Sequence, residues 1–341
     1  MVNKVSPLSA TQMAIWRGMW AYEDEPRLSR VARMRTMDRR DFLSGLKWVW
    51  ACNGAVPSQA LVGGKLDGQQ YYIGRAHHQG SVTPGMVIPK RKACCIAWGG
   101  DEHDKDVYEV LCSDGRFVPV SERSTGNLLN ASSAGISEDG EPLFIGLVQH
   151  EGKLICGKVQ RSHGVCYIGY KGREMGFSEY QVFVGIAPTP LESHYWVMCD
   201  DSDSDVPAAA TVAGSDTNGC LYIGRAGHRG SCTPGYISQA TRKCHIAWGS
   251  DEHRKSRFEY LCNCRARFVP GRENFIPVGA VGGGYSEFGE PLFIGRVQVK
   301  NRYIVGKVQP THKVCYIPYG GKVIAHAEYE ILVLDDYTKS S

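Results

Sequence analysis

The sequence predicts an all-β protein of two homologous domains, each sandwich-like or barrel-like and each made from a tandem pair of repeats. Three observations carry this expectation. The peptide "YIGRAHHQGSVTPG" at Tyr72 returns as "YIGRAGHRGSCTPG" at Tyr222. Two further copies, anchored at Phe144 and Phe293, align with these, giving four copies of about seventy residues each. Every copy then divides into short runs rich in β-branched and aromatic residues, bounded by Gly, Pro and His-Gly turns, with no helical period between them.

The copies come in two kinds. Copies one and three share "TPG", "IAWG" and "DEH"; copies two and four share "EPLFIG", "GKVQ" and "VCYI". The repeating unit is therefore a pair. The first pair is expected over 47–190 and the second over 191–341. A single copy has too few strands to close a core, whereas two packed about a pseudo-twofold axis can do so. Residues 1–46 lie outside the repeats and hold the only helix-like stretches. In one of these Leu28, Val31, Met34 and Met37 recur three apart among arginines.

Five positions are constant in type across the copies. Gly74, Gly146, Gly224 and Gly295 share one, and Gly85, Gly157, Gly235 and Gly306 a second. One of the two is expected where a strand is closely approached and the other in a turn with positive φ. Cys94, Cys166, Cys244 and Cys315 share a third and are expected in the core. The rings of Trp98, Tyr170, Trp248 and Tyr319 share a fourth, read as core, and those of Tyr108, Tyr180, Phe258 and Tyr329 a fifth.

Composition narrows the function classes. The 341 residues are 43% hydrophobic, enough for real cores. A formal charge of +4 is small for this length and does not describe a nucleic-acid binder. No apolar run is long enough to span a bilayer, and the N-terminus lacks the apolar core of a secretory signal. The expected location is cytoplasmic, with release without a signal peptide left open. Thirteen cysteines without a C-x-x-C pair read as reduced thiols, and "CC" at Cys94 and "CNC" at Cys262 lack zinc-ligand spacing. Neither a metal nor a cofactor is expected. There is no G-x-S-x-G elbow, P-loop or H-E-x-x-H, so the chain is not read as an enzyme.

Several polar positions invite a role. The "DEH" at Asp101–His103 and Asp251–His253 places Glu102 and Glu252 where copy two has Glu174 and copy four Val323. A hydrogen-bonded or ion-paired glutamate is expected there. Arg75, Arg225 and Arg296, with Leu147 in copy two, are expected to pair with glutamates such as Glu109 and Glu259. His78, His150 and His228, with Val299 in copy four, read as turn residues.

The pattern "AVPSQALVGG…DG…YYIGRAHHQGSVTPG…IAWGGDEH…YEVLC" resembles the DM-nine repeat family, over nearly everything after residue 46. The resemblance implies a β-sandwich-like domain per pair and similarity to invertebrate lectins that bind mannose and recognise microbes. Some relatives join the repeats to an aerolysin-type pore-forming domain, which is not expected of this sequence. The lectin members use a lysine of a "GKV" turn together with an acid. The lysine position reads Met86, Lys158, Tyr236 and Lys307; the acid position is aligned with Lys65, Ser137, Asp216 and Ser286. The implied carbohydrate-binding set is thus Lys158, Lys307 and Asp216, with Asp67, Asp139 and Glu287 as neighbouring acids that substitute. A carboxylate beside an ammonium suits vicinal sugar hydroxyls, which both donate and accept. The expected partner is a mannose-type glycan, with homo-oligomers left open. The alternative is a non-enzymatic scaffold whose sugar site has decayed and which recruits proteins through its sheets and N-terminal helix.

Overall fold

The short runs of each repeat form antiparallel strands, seven to a repeat. The computed structural model describes residues 46–120, 131–186 and 194–337, apart from 201, 204, 272 and 274. The helix-like stretches before Leu46 lie outside the described residues.

Copy one contains β1 (Trp48–Cys52), β2 (Val62–Leu66), β3 (Gln69–His78), β4 (Ser81–Ile88), β5 (Ala93–Trp98), β6 (Asp101–Lys105) and β7 (Val107–Leu111). Copy two contains β8 (Gly115–Val120), β9 (Ser133–Ile136), β10 (Pro142–His150), β11 (Lys153–Gln160), β12 (Val165–Tyr170), β13 (Arg173–Phe177) and β14 (Tyr180–Gly185). The second domain repeats the series. Its copy three runs β15 (Tyr195–Asp200), β16 (Val212–Asp216), β17 (Gly219–His228), β18 (Ser231–Ser238), β19 (Lys243–Trp248), β20 (Asp251–Lys255) and β21 (Arg257–Cys262). Copy four runs β22 (Ala266–Gly271), β23 (Gly282–Tyr285), β24 (Pro291–Val299), β25 (Arg302–Gln309), β26 (Val314–Tyr319), β27 (Lys322–His326) and β28 (Tyr329–Leu334).

Each domain is one 14-stranded sheet whose order reads the same from both ends. In the first it is β1-β7-β3-β4-β5-β6-β13-β12-β11-β10-β14-β8, with β2 on β3 and β9 bridging β10 and β4. The pseudo-twofold axis passes between β6 and β13, where Arg173 faces Asp101; in the second domain Lys322 of β27 faces Asp251 of β20. One core cluster in each domain is shared by both copies of the pair. Ile73 and Leu111 of copy one pack with Ile145, Ile155, Ile168 and Phe183 of copy two, and Ile223 and Leu261 of copy three with Ile294 and Leu332 of copy four. Copies one and three also hold clusters of their own, around Val87, Cys94 and Ile96 and around Ile237, Cys244 and Ile246, so the shared cluster is what joins the two copies of a pair.

The recurrent residues are scaffold. All four repeat cysteines are fully buried. Both glycine series lie mid-strand and face each other across the ladder: Gly74 with Gly85, Gly146 with Gly157, Gly224 with Gly235, Gly295 with Gly306. The expected positive-φ turn is therefore not at either position. A Cβ on Gly157 or Gly306 would stand 2.0 Å from the carbonyl oxygen of Tyr167 or Tyr316, so close approach is what excludes a side chain.

The repeat arginines pair across the ladder as expected, at 2.7 Å for Arg75–Glu109, 2.6 Å for Arg225–Glu259 and 2.5 Å for Arg296–Glu330. Copy two has Leu147 opposite Gln181 instead, so both members of the pair changed together. The two domains meet where β1 approaches the segment before β23. The Trp50 carbonyl accepts the Gly279 N–H at 2.9 Å, and the Trp50 ring packs edge-on against Phe293.

Candidate functional site

The lysine of the "GKV" turn sits on β11 in copy two and on β25 in copy four, beside the pseudo-twofold axis. In the first domain Lys158 borders a cleft of about 240 Å³. Copy one supplies Thr83, Trp98 and Gly99 to its wall; copy two supplies Glu138, Asp139, Tyr167 and Glu174 among others. The site thus requires both repeats.

Lys158 is 7% exposed, and its ammonium lies 3.0 Å from Glu174 Oε1. The other oxygen, Oε2, accepts the Gly100 N–H across the axis at 2.7 Å. The Tyr167 ring lies 5.5 Å from the ammonium, with its hydroxyl 3.0 Å from His163 Nδ1. At the rim, half-buried Trp98 donates its Nε1–H to Glu138 at 3.2 Å. A paired ammonium and carboxylate, further acids and an indole around one hollow can exchange hydrogen bonds with hydroxyls and stack on a C–H face.

The glutamate position explains the remaining copies. By pseudo-symmetry Glu102 Oε2 accepts the Gly172 N–H at 2.8 Å, while Oε1 takes Arg91 at 2.7 Å. In copy three Glu252 Oε2 accepts the Gly321 N–H at 2.8 Å and Oε1 lies 2.5 Å from His245 Nδ1. That contact, together with the backbone N–H, holds the Glu252 carboxyl below the usual carboxylate range. Here Met86 and Tyr236 replace the lysine. Met86 is buried, and Tyr236 stacks on His245 at 4.6 Å. These two positions satisfy their carboxylates with the protein's own side chains. Cys95, Glu102 and Asp104 come close enough together to hold a metal ion. The guanidinium of Arg91 already pairs with both carboxylates, the second at 2.7 Å, and burial pushes the Cys95 thiol pKa far up.

The second domain keeps most of the Lys158 arrangement around Lys307, which is 8% exposed. Tyr316 lies 5.5 Å from its ammonium and 3.0 Å from His312 Nδ1. Gln309 binds Glu290 at 2.8 Å, as Gln160 binds Glu141 at 3.0 Å. The carboxylate partner is missing, because Val323 occupies the place of Glu174. Burial lowers the Lys307 pKa, opposed by Glu287 and Glu290.

The expected acids divide between separate places. Asp139 lines the Lys158 cleft, and Glu287 acts on Lys307. Asp67 does not join a "GKV" lysine; it pairs with Lys153 at 2.5 Å. Nor does Asp216 meet Lys307, since it faces Arg302 at 3.8 Å, at the other end of β25. The ladder also puts Leu66, not Lys65, level with Ser137, Asp216 and Ser286, because the following turn is one residue longer in copies two and four. Trp98 and Trp248, expected in the core, are half-buried at the site rims. Glu138 was not singled out from the sequence; its signal was its place beside Ser137 in a turn repeated as Ser286–Glu287. A smaller hollow of about 150 Å³ lies away from the lysines, among Cys199, Asp203 and Arg242.

Among the described residues no helix is long and apolar enough to cross a membrane. The chain is similar to Natterin-3 of Thalassophryne nattereri, 28% identical over 156 residues, which are 44% of this chain and 38% of that protein. It is 25% identical to Natterin-4 of the same fish over 156 residues, 45% of this chain and 36% of that one. It therefore spans little more than a third of the length of these curated relatives. A crystal structure of the nematode sperm cell motility protein MFP2B covers 84% of this chain and 96% of its own at 14% identity. Its TM-score of 0.34 is too low to inform the site. The DM9 repeat profile matches residues 65–177 and 216–326, which together exceed half of the sequence, and the chain belongs to the DM9 repeat family.

Proposed function

We propose that this protein is a non-enzymatic, lectin-like recognition protein whose principal sugar site is the Lys158 cleft, with mannose-type glycans as the ligand class. The observation that carries the reading is the convergence of a paired ammonium and carboxylate, Asp139 and the rim indole of Trp98 on one open hollow. Such a site has donors and acceptors for vicinal hydroxyls and an aromatic face for ring C–H groups. The family is in general lectin-like and non-enzymatic, which supports the same reading. Shallow sugar sites are weak singly, and a second site on the chain raises avidity when both engage one glycan. A role in microbial recognition, acting in the cytoplasm or after release without a signal peptide, fits this activity.

The test is calorimetric titration of the full chain with methyl α-mannoside, comparing wild type with Lys158→Met and Trp98→Ala. Met86 occupies the lysine position in copy one, so methionine is compatible with the fold there. Both variants are expected to weaken binding at least tenfold. Absence of any mannoside heat in the wild type sinks the reading and leaves the scaffold alternative.

A further inference from the structure

The Lys158 and Lys307 sites share their lysine, tyrosine, histidine and glutamine, yet differ at three positions that all shift charge in one direction. Val323 replaces Glu174, so the Lys307 ammonium has no ion pair with any described residue, although it is 92% buried, as its 8% exposure states. Phe288 replaces Asp139. The two turns match, with the Ser137 and Ser286 N–H groups donating to the Glu141 and Glu290 carbonyls, and Phe288 is 65% exposed. Arg229 stands where copy one has Gln79, and its guanidinium lies 5.2 Å from the Trp248 ring. Two carboxylates are lost and one cation is gained. In addition, the Trp248 Nε1–H is buried without an acceptor, whereas its counterpart on Trp98 binds Glu138.

A buried ammonium without a direct ion pair is costly, and a buried N–H without an acceptor adds to that cost. Both are resolved by a ligand that brings its own anion. Glu287 and Glu290 act on Lys307 only through space, neither within ion-pair distance, and the Glu290 oxygens already accept from Gln309 Nε2 and from the Thr311 N–H, each at 2.8 Å. Phe288 offers an exposed ring at the rim, where the first site offers a carboxylate.

We infer that the second domain binds an acidic sugar, a pyranose bearing a carboxylate, with Lys307 taking the carboxylate and Phe288 flanking the ring. The inference rests on the lectin-like reading and assigns the two domains different ligand classes, neutral for Lys158 and anionic for Lys307. A charge-assisted bond from an ammonium to a carboxylate is stronger than one to a hydroxyl, so discrimination follows from the missing glutamate. The shape of a sugar, and not charge alone, is required to engage Phe288.

The experiment titrates the full chain with methyl α-mannosiduronate, methyl α-mannoside and acetate. The two sugars differ only in the oxidation state of C6, and acetate carries the charge without the ring. Wild type is expected to bind the uronate at least tenfold more tightly than acetate, through a site that Lys307→Met removes. Val323→Glu restores the residue type found at Glu102, Glu174 and Glu252 and is therefore expected to fold. It is expected to weaken uronate binding about tenfold, and Glu174→Val to strengthen it in the first domain. Uronate binding that survives both Lys307→Met and Val323→Glu overturns the inference, as does acetate binding equal to uronate binding. Loss of mannoside binding alone counts against the neutral-sugar reading and not against this one.

Discussion

Lys158 and Lys307 occupy the same place in two copies of one architecture, and they live in opposite electrostatic conditions. Lys158 is buried beside Glu174, whose second oxygen is anchored by the Gly100 N–H. Lys307 is equally buried, keeps Tyr316 and His312, and has Val323 in the place of Glu174. The difference teaches that the repeat conserves a mould, while single positions at the twofold axis decide what the mould accepts. Across all four copies, wherever the glutamate is present its Oε1 has a cationic or imidazole partner: Arg91, Lys158 or His245. Copy four alone keeps a basic residue without that glutamate.

The largest expected effect tests whether the mould is common to both domains. Gly157→Ala and Gly306→Ala each drive a Cβ into a backbone carbonyl at 2.0 Å. Each is expected to destabilise its own domain by more than about 4 kcal/mol in urea unfolding, to a similar degree. A mild effect in one domain breaks the equivalence.

Glu174→Ala comes next. It strands the Lys158 ammonium in a buried position and is expected to cost about 3 kcal/mol. Val323→Ala, at the matching place, removes only part of a half-buried side chain and is expected to cost about 1 kcal/mol or less. Equal losses in chemical denaturation would deny that Glu174 holds the charge in the first domain.

A third test concerns acid. His78 and His228 pack beside Trp98 and Trp248, and each titrates at about 4 in the folded chain instead of the ordinary 6.5. For His78 burial is the main cause, followed by Lys105, His103 and Lys158; for His228, burial is followed by His253, Lys255 and Arg229. The unfolded chain takes up these protons first. The stability contribution is therefore complete above pH 6.5 and is lost as the pH falls towards about 4. The double variant His78→Val, His228→Val, which uses the residue of copy four, is expected to flatten thermal melting across this window. An unchanged profile assigns acid sensitivity elsewhere.

The smallest effect separates the two lysines most directly. Lys307→Met removes an ammonium that burial disfavours, and is expected to raise the melting temperature by about 2–4 °C at neutral pH. Because its folded pKa lies below the unfolded value, wild-type stability also rises with pH towards the ordinary lysine range, and the variant loses this rise. Lys158→Met leaves Glu174 unpaired and is expected to lower the melting temperature.

Much of this was legible in the chain because repetition acts as an internal comparison. The strand series, the pairing of copies and the arginine–glutamate contacts follow from residues that recur or change together, as Leu147 and Gln181 do. The glycines were recognisable as constrained, but not as facing one another, since a hairpin register is set by its turn and not by either glycine. The acids were the hardest to place. Asp67 and Asp216 lie near the start of β11 and β25, where Lys153 and Arg302 meet them, although their chain positions suggested the "GKV" lysines.

Local pattern was enough to specify an all-β chain of paired repeats, because side-chain alternation, turn residues and close-approach glycines act over a few neighbours. The link between Lys158 and Glu174, the clasp through Gly100 and the lack of a direct ion pair at Lys307 came only with the assembled domain. Those contacts join different strands across the twofold axis, and an ion pair depends on ångström-scale distances that spacing along a chain does not encode.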